Sequence, residues 1–158
     1  MRLLLTFLPV LVLCIPVWVL EVEADASRVA PRIWLRGEVG LTVGYVHSVE
    51  RTWVEESYSA DRHGLRLVRM RWQGAGAGLP DTYDTFAGGF YVRELDVDIG
   101  NVLDYWFLPL NRIELSIRDT VVLRGPEQPS RVAVRVRPIP AVVVLLESAA
   151  GRILSGGG

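Results

Sequence analysis

The chain reads as an all-β protein, an antiparallel sandwich or open barrel preceded by an N-terminal hydrophobic helix. Three observations carry that reading: short alternating strand-like runs at close spacing, Gly, Pro and Asp punctuation between them, and no long amphipathic helix.

The first element is the apolar run Leu3–Leu20, eighteen residues with no ionisable side chain besides Cys14, preceded by Arg2 and followed by Glu21, Glu23 and Asp25. It is longer than the roughly 7–15 residues of a cleaved signal core and close to the roughly 20 that span a bilayer. Ala24-Asp25-Ala26 nonetheless offers a small-x-small cleavage pattern, and Pro9 and Pro16 weaken a permanent helix. Residues 1–26 are therefore expected as a signal peptide or a membrane anchor, 27–150 as one antiparallel β-domain and 151–158 as a flexible Gly-rich tail. Either fate of the leader puts the domain outside the cytoplasm, anchored in the cytoplasmic membrane or secreted to the periplasm.

Strands are expected over Arg32–Arg36, Gly40–Val49, Trp53–Ser59, Leu65–Trp72, Phe90–Ile99, Arg112–Arg118, Val121–Arg124, Arg131–Arg137 and Ala141–Leu146. Asp61-Arg62-His63-Gly64, Gly88-Gly89 and Leu108-Pro109-Leu110-Asn111 read as turns. Leu103–Phe107 fits a helical turn or a strand. The only Cys lies in the apolar run, so the β-domain has no disulfide and depends on packing. With a formal charge of −1, no global field attracts nucleic acid.

Alternation puts Leu41, Val43, Tyr45, His47 and Val49 on one face of the second run. A connection centred on Arg51 and Thr52 would oppose Val49 to Val54, His47 to Glu56 and Tyr45 to Tyr58. The sequence then suggests a shielded His47–Glu56 contact, read as a structural pair or as a ligand or ion site. Gln73-Gly74-Ala75-Gly76-Ala77-Gly78-Leu79-Pro80 lacks the Gly spacing of a dinucleotide loop and the Lys of a P-loop, and reads as a structural or ligand-contacting loop. Glu94, Asp96 and Asp98 share one strand face, with Tyr91, Arg93, Leu95, Val97 and Ile99 turned mostly to the core. The acidic row suits a solvated face opposite arginines better than a calcium site.

Catalytic constellations are poorly supported. His47 and Ser48 are neighbours and point to opposite faces, no Gly-x-Ser-x-Gly elbow occurs, and two His without Cys do not make a zinc site. No cofactor or metal is expected. The candidate patch comprises His47, Ser48, Glu50 and Glu56 with Gly76, Gly78, Leu79 and Pro80.

Val43-Gly44-Tyr45-Val46-His47-Ser48-Val49-Glu50-Arg51-Thr52, with Val54-Glu55-Glu56 and Gly76-Ala77-Gly78-Leu79-Pro80, resembles the bacterial and archaeal family called domain of unknown function 1850 (DUF1850). Trp53 departs from it, standing where the family usually has Pro. The resemblance implies a small exported or anchored protein, of a kind often encoded beside tripartite ATP-independent periplasmic (TRAP/TAXI-type) solute transporters, with transporter membrane subunits or the solute receptor as partners. A soluble periplasmic module binding a small anion or sugar through Arg69 and Arg71 is the alternative reading.

Overall fold

A computed structural model describes residues 14–24, 28–29, 32–76, 78–125, 127–150 and 153–154. Thirteen strands follow in order: β1 Pro16–Ala24, β2 Arg28–Val29, β3 Arg32–Trp34, β4 Val39–Val46, β5 Trp53–Asp61, β6 Gly64–Trp72, β7 Thr85–Ala87, β8 Phe90–Gly100, β9 Val102–Phe107, β10 Glu114–Ile117, β11 Thr120–Arg124, β12 Ser130–Pro140 and β13 Ile153–Leu154. A 3₁₀ turn, Pro109–Asn111, separates β9 from β10, and one helix, α1, spans Ala141–Ala149.

The strands form two sheets. The first runs β13-β3-β1-β12-β9, with β2 also on β1, and the second runs β11-β10-β4-β5-β6-β8-β7. Every ladder is antiparallel except β3 with β13. Leu20, Val22, Val132, Val134 and Phe107 of the first sheet share one core with Val39, Leu41, Val43, Tyr58, Leu65 and Leu115 of the second. Apolar alternation on both sheets makes this shared face the dominant buried surface.

The hydrophobic helix expected at the N-terminus is not found in the described part of that run. Pro16–Ala24 is strand β1, paired along its whole length with β12 from Pro16↔Pro140 to Ala24↔Val132. β1 is covered on both faces, Leu20 and Val22 by the second sheet and Val19 by α1. A strand buried on both faces reads as an unbroken apolar run, which is why it mimics a membrane segment. Residues 1–13 lie outside the described residues, as does most of the tail. No helix among the described residues is long and apolar enough to cross a membrane.

Under α1, Glu21 of β1 is only 2% exposed. Arg32 Nε donates to its Oε1 at 2.6 Å and Arg137 Nε to its Oε2 at 2.6 Å, and Arg32 also pairs with Glu147 of α1. Burial pushes the Glu21 carboxyl up, but the bonds and charges of Arg137 and Arg32 outweigh it and hold the group below its ordinary range.

The strand expected over Ala141–Leu146 is helix α1. Pro140 is the last residue paired in β12, and the apolar run beyond it is short enough to fit either state. Val144 packs on Val19 and Ile139, closing the outer face of the first sheet. Leu103–Phe107 lies within strand β9. In β8 the expected inward row is met in part: Ile99 packs against the core and Tyr91 stacks on buried Trp72, whereas Val97 is 44% exposed, beside bulges in the β6–β8 ladder near the sheet edge. The acidic row does face arginines, Glu94 accepting from Arg69 Nε at 2.8 Å and Asp96 pairing with Arg66.

Candidate functional site

The β4–β5 hairpin sets the site. His47 N–H donates to Thr52 O at 2.8 Å and Arg51 N–H to His47 O at 3.0 Å, so the turn is Ser48–Arg51, with Arg51 at φ 58°. It is centred two residues earlier than expected, and the register moves by four: Val46 opposes Trp53, Tyr45 opposes Val54, and Glu56 opposes Val43 rather than His47. Because the shift is even, Tyr45, Glu56 and Tyr58 stay on the inner face. The His47–Glu56 pair is not formed, since four residues of strand, about 13 Å, separate His47 from the position facing Glu56. Val49, expected in the apolar row, sits in the turn and is 68% exposed.

Glu56 instead sits among three tyrosines. Tyr45 Oη donates to Oε1 at 3.0 Å, Tyr58 Oη donates to Oε2 at 2.7 Å, and Tyr105 Oη, from β9 of the other sheet, also bonds Oε2. The hydroxyls of Tyr58 and Tyr105 lie 2.6 Å apart. Burial, then the Glu56 charge, pushes all three phenols well above the ordinary tyrosine value. This cluster ties the two sheets together. The inner-face alternation made Tyr45 and Tyr58 available to reasoning from sequence, but nothing local points to Tyr105.

The turn meets the glycine loop after β6. Gln73 N–H donates to Trp53 O at 3.1 Å, holding the start of that loop against β5. Gly74 and Gly78 take φ 76° and 83°, values that glycine adopts without strain. The Glu50 carboxyl lies directly over Gly76, where a Cβ would overlap it, and His47 Nε2 is 3.6 Å from the place of a Cβ on Gly78. Thr52 Cγ2 stands 3.4 Å from the same position on Gly74. Of the candidate patch, His47, Glu50, Gly76 and Gly78 therefore come together. Leu79 closes the loop through its N–H to Gly76 O at 3.2 Å, and Pro80 follows it, half-buried. Ser48 is exposed at the turn, and Glu56 lies elsewhere, in the tyrosine cluster.

Three polar groups at this junction have bonding capacity to spare. His47 Nδ1 accepts the Glu50 N–H at 3.2 Å, so a neutral ring carries its proton on Nε2, facing the glycines. The half-buried Glu50 carboxylate has no hydrogen-bond partner among the described residues, and Thr52 Oγ1, missed by sequence reasoning, is buried without one. Asn111 brings a third loop to the same end: its Oδ1 accepts Leu108 N–H at 2.8 Å and its Nδ2 donates to Val46 O at 3.0 Å. Leu108 and Leu110 of that loop are exposed.

Nearby, the side chains of Trp53, Arg71 and Arg69 are engaged. Trp53 lies across Gly44, its Cζ2 2.5 Å from where a Cβ would stand, and donates Nε1–H to Glu55 at 2.9 Å. Arg71 donates to Glu55 at 2.8 Å and stacks over Phe90, while Arg69 holds Glu94. At the opposite end of the second sheet a cleft of about 350 Å³ is lined by Glu38, Asp61, His63, Arg66 and Asp98 among others. Among the described residues, no three His, Cys, Asp or Glu side chains gather as metal ligands.

A family model described as a domain of unknown function, DUF1850, matches residues 41–123, just over half of the chain. That span takes in the hairpin, the glycine loop and all three tyrosines around Glu56. No curated protein and no solved structure matches the chain. On the strength of that match, the chain belongs to the DUF1850 family.

Proposed function

We propose that this protein is a nonenzymatic extracytoplasmic binding domain, an accessory of a TRAP/TAXI-type solute transporter, which engages its partner through the loop end built by His47–Thr52 and Gly74–Pro80. One observation supports it above the rest. Among the described residues Thr52 Oγ1 is buried without a partner and the half-buried Glu50 carboxylate has no hydrogen-bond partner, while Glu50 covers Gly76 and His47 turns Nε2 toward Gly78. Buried polar groups are normally satisfied, so the open Thr52 hydroxyl, with a water-accessible carboxylate and imidazole close by, suits the alternating donors and acceptors of a polypeptide partner. The neighbouring exposed Val49 supplies apolar contact. The choice of a transporter as partner rests on the family resemblance alone.

The test is copurification from native membranes after mild crosslinking of the full chain. Transporter membrane subunits or the solute receptor should be recovered with the parent and lost with His47→Ala/Glu50→Ala at unchanged melting temperature. Equal recovery with the variant, or none with the parent, would overturn the proposal. The alternative of a module for a small anion or sugar is less supported, because Arg69 and Arg71 are already bound to Glu94 and Glu55. It predicts thermal stabilisation by an organic acid or sugar, and a flat response across such a panel argues against it.

A further inference from the structure

We propose that the outward face of α1 rests on a lipid bilayer. The helix is apolar on two sides. Val143 and Val144 pack on the first sheet, and Glu147 turns inward to Arg32. The opposite side carries Leu145 and Leu146, 54% and 67% exposed, in an i, i+3, i+4, i+7 stripe with Val142 and Ala149. A helix apolar all round is ordinarily covered on all sides.

What lies beside that stripe indicates the cover. Ile15, 52% exposed, accepts the Ala141 N–H through its carbonyl at 2.9 Å, so the chain reaches β1 at the first turn of α1. Leu3–Leu13 immediately upstream has no ionisable side chain. Such a composition favours lipid over water, and a bilayer reached from Ile15 would lie against α1, about 13 Å long. Even counted on both copies, Ile15, Leu145 and Leu146 offer less than the roughly 1,200 Å² of total area in a stable protein interface, which argues against a second copy. Lipid contact has no such minimum. This inference is independent of the identity of the protein partner.

The test uses the full chain with Cys14→Ser, Leu146→Cys labelled with an environment-sensitive fluorophore, and phosphatidylcholine vesicles carrying spin-labelled lipid. Labels at Cys14 of the parent and at Ser48→Cys in the Cys14→Ser background report the junction and the exposed β4–β5 turn at the opposite end of the strands. The label at 146 should shift to the blue and be quenched several-fold more than that at 48. Equal quenching at 146 and 48, or none at Cys14, overturns the proposal. Shielding of position 146 from aqueous iodide without vesicles overturns it in favour of residues 3–13 as the cover, and a 146–146 crosslink in favour of a second copy.

Discussion

Replacing Glu56 by Ala removes the acceptor shared by Tyr45, Tyr58 and Tyr105. Hydrogen bonds to a charged group contribute about 1.5–3 kcal/mol each, and desolvation of the carboxylate offsets part of the gross sum. Tyr58 and Tyr105 keep each other after the substitution, whereas Tyr45 is left with no acceptor. A net loss of about 3 kcal/mol is expected, with about half of it for Glu56→Gln, which keeps the shape and one acceptor. Urea unfolding of the full chain at neutral pH reads this as a lower midpoint at constant slope. Because His47 does not touch Glu56, His47→Ala and Glu56→Ala should add within about 0.5 kcal/mol. A loss below about 0.5 kcal/mol for Glu56→Ala would refute the cluster, and a coupling above about 1 kcal/mol with His47 would refute the register.

The raised phenol values make stability complete below the unfolded tyrosine value near 10 and lost above it, because the unfolded chain ionises first. With three phenols the fall is about 4 kcal/mol per pH unit, and Tyr105→Phe should remove about a third of that slope in urea titrations between pH 10 and 11.5; an unchanged slope contradicts the assignment. Glu21, held below its ordinary range, adds stability that is present above about pH 4.5 and lost as pH falls through its folded value, so Glu21→Gln should flatten the acid limb in the same assay. Removing residues 1–26 withdraws Val19, Leu20 and Val22, each about 1.5–3 kcal/mol of burial, which together approach a typical domain's whole stability. That truncated chain should show no cooperative melt by near-ultraviolet circular dichroism, and a sharp transition would contradict the place of β1.

Face assignment survived a register error because side chains alternate with period two: Tyr45, Glu56 and Tyr58 share a face in any register shifted by an even number. The turn itself was illegible, since Arg51 occupies a positive φ with no Gly or Asn to announce it. Tyr105 reaches Glu56 from another sheet, and local periodicity does not encode such a contact. The glycine loop was legible as a loop, but its meeting with Glu50 depends on where the Ser48–Arg51 turn falls. β1 was hidden by its own burial, and α1 by a run of valines and leucines that either state accommodates.

The most direct measurement is solute uptake in a strain lacking this protein, complemented with the parent or with His47→Ala/Glu50→Ala at equal abundance. Uptake that falls on deletion, returns with the parent and stays low with the variant is the predicted result. Normal uptake in the deletion strain, or full rescue by the variant, would contradict the account.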